Sequence, residues 1–197
     1  MIYIFDYDGT IVDVWFRYHK IFTSFFKYNI SLEDYKERKL QYENDYLFIK
    51  DIITNVSEGE IKAYFNYKNF FLEDPDFTKN DRVIININNF NNFIKKNNVY
   101  ILSARNNNAE LLKQVKNIGI NILDNRVISV KNEGLTTKYK YIEENFKVNE
   151  EITIIGDSDV DQYAANLKNV TFKYVDTGLK RLLNEEVIDI NKFIKEV

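Results

Sequence analysis

The chain opens with five apolar, strand-forming residues, Met1-Ile2-Tyr3-Ile4-Phe5, which run without a turn residue into Asp6-Tyr7-Asp8-Gly9-Thr10. An uninterrupted apolar run of this length reads as a buried strand. Such a strand has no structural need to end in two acids. Asp6 and Asp8 lie two apart, so an extended backbone aims both carboxylates to one side. Held close, they repel unless a cation or a shared proton compensates. Gly9 permits a sharp turn and Thr10 adds a hydroxyl. The plain reading is a strand ending in a solvated acidic turn. The chemical reading is a carboxylate nucleophile with a second acid beside it to move a proton.

With 197 residues, the chain is long enough for one domain with a sizeable core, or a core plus a small accessory domain. Its 27 basic and 30 acidic residues give a net charge of −3, and no basic stripe or recognition helix is apparent, so nucleic acid is not expected as a partner. Cysteine is absent, which removes disulfides and thiolate metal sites, and a single histidine removes multi-histidine centres. No apolar run reaches the roughly 18 residues of a membrane span, and the N-terminus lacks the basic region of a signal peptide. The expectation is a cytoplasmic protein with no membrane partner; oligomeric state is not legible.

Beyond Thr10, apolar and aromatic residues recur three and four apart from Ile11 to Tyr28, predicting a largely buried helix. His19 lies within it and is expected to be packed or solvated. Trp15, Arg17 and Tyr18 follow the acidic loop closely enough to line a pocket. Ser31 with Glu33 and Asp34 marks a second helix start, running to about Ile53. Ser57 and Glu60 form a capping-box pattern opening a third helix to about Leu72, and the only proline, Pro75, marks its end. Some sixty helical residues thus separate the acid pair from the next strand, too many for a loop in a compact α/β domain. They read as an inserted helical subdomain.

From Phe77 onward the pattern alternates. A helix is expected over about Asp81 to Asn97, then strand Val99–Leu102, helix Ala109–Ile118 closed by Gly119, and strand Val127–Val130. A helix from Thr136 to about Phe146, strand Ile152–Ile155, helix Asp161–Leu167 and strand Val170–Val175 follow, with a helical tail after Thr177. Alternation of this kind predicts a parallel sheet with helices on both faces, and in such sheets active residues gather at the carboxyl ends of strands. The acid pair, Ser103 and Asp157 all fall at predicted strand ends. Ser103-Ala104-Arg105 offers a hydroxyl, main-chain N–H groups and a guanidinium suited to a bidentate phosphate contact, to a helix cap or to a surface acid. Gly156-Asp157-Ser158-x-x-Asp161 places one acid at a strand end and a second on the first helical turn, both able to reach one place. Oxygen ligands of this kind suit Mg²⁺, which needs only one or two carboxylates beside a phosphate. Asp159 reads instead as charge at a helix N-terminus.

Taken together, these stretches resemble the haloacid dehalogenase superfamily, in its phosphatase branch. Asp6-x-Asp8-Gly9-Thr10 matches the first motif at every fixed position, and Gly156-Asp157-Ser158-x-x-Asp161 matches the fourth. The resemblance implies a Rossmann-like catalytic core, residues 1–12 and 77–197, and a helical cap, residues 13–76, that closes over the site and selects the substrate. It implies Asp6 as nucleophile, Asp8 as acid/base, and Ser103 and Lys138 as ligands of the phosphoryl group, with Thr10, Ala104 and Arg105 beside it. Lys140 is the alternative to Lys138. A Mg²⁺ site drawn from Asp6, Asp8, Asp157 and Asp161 is implied as well. The dehalogenases lack the second acid of the first motif, so Asp8 points to phosphoryl transfer. The expected activity is hydrolysis of a small phosphorylated metabolite through an aspartyl-phosphate. A phosphomutase and a non-catalytic phosphate- or metal-binding module are the alternatives.

Overall fold

The computed structural model describes residues 1–177 and 185–197. The chain divides into two compact units: Met1–Asp13 with Val83–Val197, and Val14–Arg82.

The first unit is built on a five-stranded sheet with every pairing parallel. Its strands, in spatial order, are β5 (Val127–Ser129), β4 (Asn98–Ser103), β1 (Ile2–Phe5), β6 (Ile152–Gly156) and β7 (Val170–Tyr174). The apolar N-terminal run is the central strand, with Ile2 opposite both Asn98 and Ile152 and Phe5 opposite both Ile101 and Ile155. Alternation along β1 serves two cores. Ile2 and Ile4 pack with Leu102, Ile142, Ile152, Ile154, Ala164 and Val170 on one face. Tyr3 and Phe5 turn to the other, where Phe5 meets Phe90 edge-on at 4.9 Å and Tyr3 meets Phe93 at 5.0 Å. The covering helices are α6 (Ile87–Lys96), α7 (Asn108–Asn117), α8 (Thr137–Asn145), α9 (Asp159–Ala164) and α10 (Ile190–Glu196). This is the parallel α/β architecture expected. Gly119, at φ +87°, closes α7 in a conformation that side chains disfavour.

Two short strands, β2 (Val12–Asp13) and β3 (Arg82–Val83), form a separate ribbon at the points where the chain leaves and re-enters this unit. The Ile84 N–H donates to the Ile11 carbonyl at 2.9 Å. The helix expected from Asp81 therefore starts late. Its cap is Asn86, whose side chain accepts from the Asn89 N–H, and the preceding residues extend instead. The expected tail falls partly on residues 178–184, outside the described residues; α10 lies beyond them.

The second unit holds α1 (Trp15–Phe26), α2 (Leu32–Lys39), α3 (Asp45–Ile52), α4 (Glu58–Phe71) and α5 (Pro75–Thr78). Phe22 is its centre, fully buried and ringed by Tyr35 at 5.4 Å and Phe48 at 5.2 Å. Burying one such ring stabilises by about 1.5–3 kcal/mol, so the aromatic stripe is core. Ser31 caps α2, and Ser57 with Glu60 forms the capping box of α4. The single helix expected from Ser31 to Ile53 is two, because Asn44 caps a new start through the Leu47 N–H. Pro75 occupies the first turn of α5, where its missing N–H costs nothing, rather than only ending α4.

Residues 77–82, read from sequence as core, belong to this helical unit. Buried Arg17 explains why: it donates to the Leu72 carbonyl at 2.6 Å and pairs with Asp81 at 2.9 Å. His19 donates from Nε2 to the Ile30 carbonyl at 2.8 Å and abuts Tyr35, a packed histidine. A half-buried carboxylate, Asp45, bridges Lys39 and Lys68, whose charges hold it well below the usual carboxylate range against the opposing effect of burial. Among the described residues, no helix is long and apolar enough to cross a membrane.

Candidate active site

Three neighbouring strands of the first unit end together. β1 delivers Asp6, β4 delivers Ser103 and β6 delivers Asp157, each at the carboxyl end. The Asp6 N–H continues the sheet by donating to the Ile155 carbonyl at 2.8 Å, which holds Asp6 in strand register although the strand has formally ended. Asp6, Asp157 and Asp161 are all buried, and each offers an oxygen within 4.8 Å of the others.

Asp161 reaches this group because of local chemistry at the start of α9. Ser158 caps the helix, and its hydroxyl donates to Asp161 Oδ2 at 2.5 Å. The turn is tight enough that a Cβ on Gly156 would lie 2.2 Å from the Asp161 carboxyl carbon. Gly156 is thus required by contact rather than by backbone angle. We expect Gly156→Ala to push Asp161 out of the cluster, weakening divalent-cation binding at least about 10-fold, as disturbing the supports of metal ligands does. Calorimetric titration with Mg²⁺ measures this; unchanged binding would show that Asp161 is dispensable to the cluster.

Lys138, in the first turn of α8, lies between two of the acids. Its Nζ is 2.7 Å from Asp6 Oδ1 and 2.5 Å from Asp161 Oδ1, and the side chain is buried. Burial opposes its charge, yet the Asp161 and Asp6 carboxylates hold the ammonium above its ordinary pKa. Lys140, the alternative, is exposed. Burial, helped by the charges of Asp161 and Asp8, pushes Asp6 up to about 7 against the pull of Lys138. Asp157 is driven well above the carboxylate range, by burial first and then by Asp6 and Asp161. Ionised together, the three buried acids would outweigh the one ammonium; without a cation, Asp6 and Asp157 are pushed toward their protonated forms. Hard oxygen donors with surplus negative charge fit a divalent cation such as Mg²⁺.

Not every candidate joins this cluster. The Asp8 carboxylate faces Arg105, which donates from Nε to Oδ2 and from Nη2 to Oδ1, both at 2.6 Å. Ser103 Oγ lies 3.5 Å from Asp8 Oδ2, at the limit of a hydrogen bond. Arg105 also donates from Nη1 to Gln114 Oε1 at 2.7 Å and lies over the Tyr7 ring. Thr10 is fully buried and its hydroxyl has no hydrogen-bond partner among the described residues, a costly arrangement unless something else accepts or donates there. Ala104 is half-buried beside Ser103. Gln114 and Thr177, whose hydroxyl donates to Asp157 Oδ2 at 3.4 Å, were not legible as site residues. Gln114 sits mid-helix like any surface glutamine, and only the return of α7 past the end of β4 brings it to Arg105.

No protein-family model matches the chain, and no curated protein matches it in sequence. Solved structures do. A Bacteroides fragilis protein described as a haloacid dehalogenase-like hydrolase superposes with a TM-score of 0.64 at 17% identity, covering 92% of this chain and 90% of that one. A Clostridium difficile protein described as a phosphatase gives 0.63 at 15% identity, covering 99% and 90%. A β-phosphoglucomutase from Clostridium difficile gives 0.55 at 17%, covering 88% and 84%. The fold is that of the haloacid dehalogenase-like hydrolases, the class to which the sequence motifs also point.

Proposed function

We propose that the chain is a Mg²⁺-dependent phosphatase acting on a small phosphorylated metabolite, with Asp6 as nucleophile. The observation that carries this reading is the buried group of Asp6, Asp157 and Asp161 around Lys138, set at the carboxyl ends of adjacent parallel strands with Asp8 two residues further on. Binding alone needs no second acid at that position.

In the first step an Asp6 oxygen attacks phosphorus as the bond to the leaving alcohol breaks, and Asp8 gives that oxygen a proton. In the second, Asp8 takes a proton from water as the water oxygen attacks phosphorus and the Asp6 oxygen is released. Lys138, the Ser103 hydroxyl and the Ala104 N–H hold the phosphoryl oxygens, and the Thr10 hydroxyl is available to them; the Arg105 N–H is spent on the Ser103 carbonyl at 3.0 Å. Mg²⁺ held by Asp6, Asp157 and Asp161 would supply positive charge to the phosphoryl group. We assign the helical unit, residues 14–82, as the cap; its insertion just past Asp8 supports this. Cap closure would exclude bulky substrates. Turnover of phosphoprotein as readily as of sugar phosphates or nucleotides would count against that part.

Phosphate release from an aryl phosphate, with Mg²⁺ and with chelator, tests the reading. Metal-dependent release is expected. No release from any phosphoester, with Mg²⁺ shown to bind, would leave the mutase or the non-catalytic module standing. The mutase alternative shares its fold with the β-phosphoglucomutase above, and a trapped bisphosphate intermediate would favour it.

A further inference from the structure

The sequence offers Arg105 as a phosphate ligand, but the structure gives its guanidinium other work. Two of its nitrogens bridge both oxygens of Asp8, the third donates to Gln114, and its Cζ lies 5.0 Å from the Tyr7 ring centroid. Gln114 is itself tied down, donating from Nε2 to Glu110 Oε1 one helical turn earlier at 3.3 Å. Arg105 is 2% exposed, so it is walled in on the side away from Asp8. A planar fork matched to both carboxylate oxygens fixes the plane of the carboxylate as well as its place, which a lysine cannot do.

We propose that Arg105, braced by Gln114, is a positioning residue that sets the orientation of the Asp8 carboxylate for proton transfer to the leaving group. The proposal rests on the phosphatase reading, in which Asp8 hands its proton to the departing oxygen as the phosphorus–oxygen bond breaks. The carboxylate left behind is the form to which a two-pronged guanidinium is matched. A loosened carboxylate would matter most where the leaving oxygen most needs that proton. Alkyl phosphates, with strongly basic leaving groups, depend on it, whereas nitrophenyl phosphate scarcely does.

The test is kcat/KM across phosphomonoesters from nitrophenyl to phenyl to alkyl, for wild type, Gln114→Leu and Arg105→Lys. This ratio reports transfer to Asp6 whatever the fate of the phosphoenzyme. General acid catalysis contributes about 10²–10⁴-fold. We expect Gln114→Leu to lose roughly 10-fold or more on alkyl phosphates and Arg105→Lys roughly 100-fold, each with much smaller losses on nitrophenyl phosphate. Gln114 is half-buried at a helix surface, so its variant probes the brace without threatening the fold. Equal losses on all substrates, carried by a raised KM, would make Arg105 a phosphoryl ligand and overturn the inference while leaving the phosphatase reading intact. Unchanged kinetics would overturn it too. A wild type inert toward every phosphoester would overturn the phosphatase reading and this inference with it.

Discussion

Replacing Asp6 by Asn abolishes phosphate release, by about 10⁴-fold or more if Asp6 is the nucleophile, and leaves the metal-free protein at least as stable as wild type. Asp6 is buried, and burial with the neighbouring acids raises it from 3.8 to about 7. Between those values the native protein keeps a proton that the unfolded chain has released. Asp6 therefore makes wild-type stability in chelator fall as pH rises from about 4 to about 7, by up to ~1.4 kcal/mol per pH unit, and Asp157, raised as well, adds a loss of the same sign. Asn has no charge to desolvate and can still accept from Lys138, so the Asp6 share of that slope is absent while the Asp157 share remains. Melting temperatures of both proteins across this range, in chelator, give the comparison. The variant should match wild type near pH 4 and exceed it near pH 7. A variant less stable at every pH would mean that the carboxylate is held for structure and that its ionised pairing with Lys138 outweighs its burial.

The candidate site is legible in the sequence for a physical reason. Asp6 and Asp157 stand out because an apolar strand has no structural use for an acid at its end, and the violation marks function. Ser158 and Asp161 were legible as a helix start. Gly156 was legible only as part of a motif, since its need arises from a side chain reaching back against it. Arg105 was read with three possible partners. Its actual partner, Asp8, lies 97 positions away and is set by the pairing of β4 with β1, which local pattern does not encode. The misplaced boundaries have local causes. Asn44 and Asn86 are caps whose signal was lost in an asparagine-rich chain, where most such residues cap nothing. The end of the helical unit depended on the buried pair of Arg17 with Asp81, two residues that a periodicity reading treats as ordinary surface charges.

Lys138 carries the largest expected effect on stability. Its ammonium lies against Asp6 and Asp161, and among the described residues no other lysine or arginine is paired with either acid. Removing one partner of a buried ion pair costs about 3–5 kcal/mol, because the remaining charge stays buried and uncompensated. Lys138→Met keeps the length and apolar stem of the side chain, so its cost in chelator should fall in that range. Saturating Mg²⁺ should recover part of it, since a cation bound to the acids replaces some of the lost charge; a ligand at about 100 times its Kd contributes about 2.7 kcal/mol. Activity should still be lost, because on the phosphatase reading the ammonium also holds a phosphoryl oxygen. Lys140→Met is the control. Lys140 is exposed two positions on, and its replacement should stay within about 0.5 kcal/mol. Denaturant unfolding of both variants with and without Mg²⁺ decides the matter. Equal effects at the two positions would mean that Lys138 is not the cation balancing the acid cluster. A Lys138→Met protein of wild-type stability in chelator would mean that the acids are neutral when no metal is bound, and that the ammonium serves the substrate alone.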